Sequence, residues 1–162
     1  LVLYSKNTEI LEKYNNFTGN ICKISLWNIQ NVYGARLHSK MICEFLINSY
    51  NIVPNKSLIL NPTLPITWDL LRGYFDGDGS IRLSRKSAEC KFTTGSKIWA
   101  ERISKFLILE GIENIIKQKG NTYDVNIYKK QFSKILFYKM YKNANIYLEY
   151  KYNRFVALFG DE

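Results

Sequence analysis

Two periods of hydrophobicity alternate along the chain. In residues 22–26 the apolar Cys22, Ile24 and Leu26 stand at every second position, with Lys23 and Ser25 between them. The same alternation places Arg36 between Ala35 and Leu37, Arg82 between Ile81 and Leu83, Lys91 between Cys90 and Phe92, and Asn126 between Val125 and Ile127. A period of two predicts strands with one buried face and one polar, mostly basic face. Elsewhere the spacing is helical. Ile10, Leu11, Tyr14 and Phe17 share a face of residues 8–17, and Ile98, Ile103, Phe106 and Leu107 are read as the inward set of residues 97–109. Each helix follows a Ser-Lys pair, Ser5-Lys6 or Ser96-Lys97, and ends at Gly19 or Gly111, where a glycine cap is expected. The predicted order is β-helix-β-β-helix, a linker, then helix-β-β-helix-β-β-helix. Such an order gives antiparallel sheets backed by helices, an α+β fold.

The pattern also repeats. Tyr33, Ala35, Leu37, Lys40, Ile42, Phe45 and Leu46 correspond to Tyr123, Val125, Ile127, Lys130, Phe132, Ile135 and Leu136, each pair 90 positions apart as Tyr33 is from Tyr123. A strand followed by an amphipathic helix therefore occurs twice. Asn61-Pro62-Thr63-Leu64-Pro65 contains the obvious break, so residues 1–61 and 66–162 are expected to form two repeats joined by a linker at 62–65.

Composition narrows the chemistry. The chain has 162 residues, a formal net charge of +9 and a pI near 9.4, which favour a polyanionic partner, nucleic acid first. Cys22, Cys43 and Cys90 are widely spaced and His38 is the sole histidine, which argues against a Cys/His zinc site and against histidine-based catalysis. The cysteines read as reduced thiols of an intracellular protein. No apolar run approaches the ~18 residues of a membrane span, and no signal peptide is visible. The chain opens on Leu1, not Met, which suggests a trimmed or partial chain. Its many Asn, Lys, Ile and Tyr residues suggest an AT-rich genome, with phage or bacterial cytoplasm or an organelle as the expected compartment.

One segment carries chemistry. Thr67 is placed to cap a helix, with Asp69 in its first turn and Leu70, Leu71 and Tyr74 along it. Gly73 and Gly77 lie four apart on one face. Each costs a helix interior roughly 1 kcal/mol relative to alanine, so the stripe implies close approach of another backbone. The helix ends in Asp76-Gly77-Asp78-Gly79, and helix packing would bring carboxylates to one point beneath a sheet. Taken alone, these four letters are also a common turn. An EF-hand does not fit, since the twelfth position from Asp76 is Ser87, not Glu.

Residues 71–79, Leu-Arg-Gly-Tyr-Phe-Asp-Gly-Asp-Gly, resemble the signature helix of the LAGLIDADG homing endonucleases, matching its letters at Leu71, Gly73, Asp76, Asp78 and Gly79, with Ser80-Ile81 a usual continuation. Residues 66–162 look like one complete family repeat and 1–61 like most of another. The resemblance implies two motif helices packed at a pseudo-twofold axis, and two sheets forming a saddle in the major groove. It further implies a divalent cation, usually Mg²⁺, held by Asp78 beside the Gly77 carbonyl. Asp76 would support the helix interface made by Gly73 and Gly77. Lys151 and, in the first repeat, Lys56 take the place of the family's catalytic lysine. The candidate DNA face comprises Lys23, Gln30, Arg36, Arg82, Arg85, Lys91, Lys117, Lys119 and Asn126. Arg and Lys suit guanine edges and phosphates, and Asn or Gln suits adenine.

The resemblance leaves one gap. The counterpart of Asp78, about 90 positions earlier, falls before Leu1. A missing N-terminal segment or a second copy would then supply the other motif helix. The expected activity is site-specific double-strand DNA cleavage by an intron- or intein-associated enzyme. The alternative is an inactive descendant that binds DNA or RNA as a maturase, ribosome-associated protein or transcription factor. A PD-(D/E)xK nuclease using Asp78, Glu89 and Lys91 has the right letters, but it explains neither the glycine-bearing helix nor the duplication.

Overall fold

The alternating segments pair into two antiparallel sheets in the computed structural model, which describes residues 1–6, 8–27, 32–54, 57–83 and 88–160. The chain divides into two compact units, Leu1–Asn48 and Ser49–Glu162.

The first unit contains β1 (Val2–Ser5), α1 (Thr8–Phe17), β2 (Lys23–Trp27), β3 (Val32–Arg36) and most of α2 (Lys40–Tyr50). Its sheet runs β1-β3-β2, with Arg36 paired to both Val2 and Lys23. Leu11, Cys22, Ala35 and Leu37 form its small core, with Ile10, Tyr14, Ile24, Tyr33 and Ile42 packed around them. Gly19 reverses the chain after α1 at φ +75°, a conformation open to glycine at little cost. Phe17 belongs to the apolar stripe of α1 but is left 75% exposed at the helix's last position, because the core reaches only as far as Tyr14.

The second unit follows a short 3₁₀ turn (Ser57–Ile59) with α3 (Trp68–Asp78), β4 (Gly79–Leu83), β5 (Ala88–Thr94), α4 (Lys97–Leu109), β6 (Ile115–Lys119), β7 (Thr122–Ile127), α5 (Lys130–Tyr141) and α6 (Glu149–Phe159). The sheet order is β4-β5-β7-β6. On β5 the alternation is complete: Ala88, Cys90, Phe92 and Thr94 are buried, and the residues between them are partly exposed. Leu71 and Phe75 from α3, Phe92 and Val125 from the sheet, Trp99 and Ile103 from α4, Phe137 from α5 and Phe155 from α6 share one core. Phe75 packs edge-on to Phe92 at 5.3 Å, and Phe137 stacks on Phe155 at 5.0 Å. Ile98 differs from the expected inward set. It is 51% exposed, while Trp99 and Ala100 are buried with Ile103 and Leu107, since the buried stripe at 3.6-residue spacing starts one residue later.

The repeat is visible in topology. β1, α1, β2, β3 and α2 correspond to β5, α4, β6, β7 and α5, and the order β1-β3-β2 matches β5-β7-β6. Arg36 occupies the position of Asn126, which pairs with Lys91 and Ile115. Residues 49–61 associate with the second unit. Leu60 packs on its core and accepts a hydrogen bond from Ser96 Oγ at 2.6 Å. The pattern predicts one helix after β7, whereas the structure has two, divided by a turn with Asn143 at φ +61°. No helix of the described residues is long and apolar enough to cross a membrane.

Candidate active site and nucleic-acid face

Helix α3 begins as its sequence dictates. Thr67 Oγ1 accepts from Leu70 N at 3.2 Å, and Leu71 and Phe75 point into the core. Gly73 and Gly77 lie on an exposed face. A Cβ built on either meets nothing within 4 Å among the described residues, so the stripe is open to a neighbouring backbone. Gly79 is different. Its φ is ordinary, but a Cβ there would sit 2.5 Å from the Phe75 carbonyl oxygen and closer still to the Phe75 ring. Glycine is needed because β4 leaves directly beneath the helix end.

The two aspartates have opposite environments. Asp76 accepts from Tyr141 Oη at 2.7 Å and from Leu148 N at 2.9 Å, so both its oxygens tie α3 to α5 and to the segment before α6. Burial pushes its carboxyl above the ordinary value, partly opposed by those hydrogen bonds and by the Lys151 and Arg72 charges. Asp78 is exposed at the last helical position, and no described residue donates to its carboxylate.

Lys151 is 3% exposed. Its ammonium donates to the carbonyls of Phe75, Asp76 (2.7 Å) and Gly79 (2.8 Å), which uses all three N–H groups. It caps the end of α3 and leaves the Gly77 carbonyl untouched. Desolvation lowers its pKa, opposed by Asp76 and Asp78. Lys56, Gln30 and Arg85 lie outside the described residues.

Asp78 borders a recess of about 480 Å³ lined by Leu58, Leu60, Tyr74, Thr93, Thr94, Gly95 and Thr122. Tyr74, one turn before Asp78, donates to the Thr93 carbonyl at 3.0 Å. Burial raises the Tyr74 phenol, and Asp78 adds to the effect. A second recess among Phe137, Tyr138, Tyr141 and Tyr147 has no carboxylate in its lining.

Strand register collects the basic residues of the second unit on one face. Lys91 pairs with Asn126 and Ser80, Lys117 with Asp124, Lys119 with Thr122, and Arg82 with Glu89. Directly paired residues project to the same side of a sheet, so Arg82, Lys91, Lys117, Lys119 and Asn126 share the face opposite the core. In the first unit Lys23 and Arg36 are direct partners on one face. Asn126 Nδ2 donates to the Asp124 and Ile115 carbonyls, at 2.9 and 3.4 Å, and is largely committed within the fold. Asp124 and Thr93 are additions to the expected set. Lys91 Nζ donates to Asp124 Oδ2 at 2.8 Å, and Thr93 Oγ1 to Asp124 Oδ1 at 2.7 Å. The alternation Tyr123-Asp124-Val125-Asn126-Ile127 contained this signal, since Asp124 is two positions from Asn126.

A helix ending in an exposed aspartate beside a sheet with a basic outer face defines a protein of the homing-endonuclease fold. Residues 69–145 match the family profile of the LAGLIDADG-like domain. Two crystal structures of meganuclease I-SmaMI bound to uncleaveable DNA, with TTCT and TTGT central fours, are similar to this chain. They have 12% and 13% identity, TM-scores of 0.62 and 0.63, and coverage of 96% of this chain and 75% of each of those. A double mutant of I-SmaMI, with two lysines replaced by alanine, aligns over 96% of this chain and 76% of its own, at 10% identity and a TM-score of 0.60. At these identities the likeness is one of fold. No curated protein matches the chain by sequence.

Proposed function

We propose that this chain is a site-specific double-stranded DNA endonuclease, a homing enzyme associated with an intron or intein, that hydrolyses phosphodiesters with a divalent cation. One observation carries the reading: of the two motif aspartates, Asp76 is spent on hydrogen bonds within the fold, whereas Asp78 is exposed and accepts no hydrogen bond from a described residue. The I-SmaMI structures, solved on uncleaveable DNA, support the choice of substrate.

The residues suit Mg²⁺ as part of its ligand set. Mg²⁺ is commonly held by one or two carboxylates together with phosphate oxygens and water, and Asp78 with the Gly77 carbonyl offers that kind of hard-oxygen donor. No group of three or more His, Cys, Asp or Glu that could hold a metal occurs among the described residues. The phosphate and a second motif aspartate would complete the set. When bound, the cation would stabilise negative charge on the attacking and leaving oxygens and favour hydroxide near neutral pH. Lys151 works as a positioning residue. By binding the carbonyls on either side of Asp78 it holds the helix-to-strand turn, and with it the carboxylate, in one orientation. Lys91, Lys117, Lys119 and Arg82 hold the duplex through phosphates and guanine edges. The Gly73/Gly77 stripe receives a second motif helix, supplied by further chain or by a second copy.

The test is selection of cut sites from a randomised duplex library, with Mg²⁺ and with EDTA. Cleavage at one site in Mg²⁺ alone is expected. Tight, salt-sensitive binding with no cleavage in any divalent metal would instead favour a binding protein of this fold.

A further inference from the structure

A carboxylate at the centre of a basic face is out of place on a surface that only binds phosphates. Asp124 lies on β7, flanked in register by Thr93 of β5 and Lys117 of β6. Its side chain is 12% exposed and that of its partner Lys91 is 34% exposed. Desolvation raises its pKa, but hydrogen bonds from Lys91 and Thr93 and the Lys91 and Lys119 charges outweigh it, so the group is held below the ordinary carboxyl value. An ionised carboxylate facing a polyanion weakens binding unless the ligand offers it a donor.

Resting on the endonuclease reading, we propose that Lys91 and Asp124 act together to read one G·C base pair in the major groove. In that groove guanine presents the acceptors O6 and N7, and cytosine presents the second hydrogen of N4. Lys91 Nζ and Asp124 Oδ2 are 2.8 Å apart, close to the ~2.9 Å separation typical of a hydrogen-bonded pair such as the base-paired O6 and N4. The ammonium donates to O6 or N7 while the carboxylate accepts from N4. Their mutual hydrogen bond closes a ring of four polar groups, each satisfied. Thr93 fixes the carboxylate from the other side. An A·T pair in the same orientation fails because thymine O4 would face the carboxylate with no proton between them. The reversed T·A pair offers O4 and N6 in the right order but sets the thymine methyl where guanine has N7, so Lys91 loses its second acceptor.

The first unit lacks the device. By register, Val2, Tyr4 and Gly34 occupy the places of Lys91, Thr93 and Asp124. A Cβ on Gly34 would already stand 3.1 Å from the Tyr4 ring, so that position is closed by an aromatic side chain. The first unit therefore does not impose this G·C requirement on the base pairs it meets.

The experiment is binding-site selection from random duplexes with the wild type, Asp124→Asn and Lys91→Ala, followed by titration of the selected site. The wild type should require G·C at one position that both variants relax, by about tenfold to a hundredfold. Asp124→Asn should at the same time bind random duplex more tightly, because it removes a negative charge from the face. Loss of structure alone would move both affinities downward. N4-methylcytosine at that position, whose methyl takes the groove-facing place of the N4 hydrogen, should weaken the wild type and leave Asp124→Ala indifferent. If the wild type selects a specific site but no position changes in Asp124→Asn, the pairing is wrong and the endonuclease reading survives. If the wild type binds no duplex in preference to single strands, the reading falls and this inference with it.

Discussion

Helices α2 and α5 begin 90 positions apart and carry the same apolar pattern, but α2 buries no residue while α5 buries Ser133, Leu136, Phe137, Met140 and Tyr141. Ile47 is 37% exposed where its counterpart Phe137 is 3% exposed. The difference lies in what covers each helix. Phe137 stacks on Phe155 of α6, and Tyr141 donates to Asp76 of α3. Residues 1–48 contain no described counterpart of either covering helix. Apolar periodicity thus marks a face that can be buried, and a third element decides whether it is. The motif helix is that element as well as the carrier of Asp78, which joins the catalytic proposal to the stability of the second unit.

The largest expected consequence is kinetic. A core of four residues in a unit below ~50 residues is marginal, so amides of β2 and β3 should exchange about a thousandfold faster than those of β5 and β7. Thiol labelling should agree. Cys22, in the small core, should react well before Cys90, which is fully buried and whose thiol is pushed up to about 12 by burial. Equal protection of the two sheets would break the comparison.

Two glycines sharpen it next. Gly79→Ala forces a Cβ against a backbone oxygen and should cost about 2–3 kcal/mol in denaturant unfolding. Gly34→Ala meets the Tyr4 ring, which can shift, and Val2 at an ordinary contact distance, and should change stability by less than ~1 kcal/mol. The open face of α3 should behave in a third way. Gly73→Ala should stabilise the isolated chain by up to about 1 kcal/mol and yet slow cleavage at least ~10-fold, if a second helix must approach there.

The smallest effect is one of pH and belongs to the second unit alone, because Gly34 replaces Asp124 in the first. Asp124 has a folded pKa below its ordinary 3.8, so the unfolded chain binds the proton more readily. Its stabilisation is complete above 3.8 and declines as pH falls through the folded value. The stability gap between wild type and Asp124→Asn should be flat from about pH 7 to 5 and narrow toward about pH 2.

Much of this was legible in the chain. Alternation gave the strands and their basic face, the 90-residue repeat anticipated the matching sheet orders, and Thr67 and Gly19 marked real helix boundaries. The motif letters led directly to Asp78. What escaped was non-local. Nothing near Lys151 indicates that its ammonium will meet three carbonyls more than seventy residues away. The family resemblance implied a group near the scissile phosphate, and the three bonds are the basis for proposing a positioning role instead. Ile98 and Trp99 were equally apolar, and only the placement of β7 and α3 decided which turned inward. The break between α5 and α6 rests on Asn143, whose left-handed backbone no spacing rule required.

The central claim is that Asp78 carries the chemistry. On a target recovered by library cleavage, Asp78→Asn should bind within a few-fold of the wild type but cut at least about a thousandfold more slowly in Mg²⁺. Cleavage by Asp78→Asn at the wild-type rate would contradict the account.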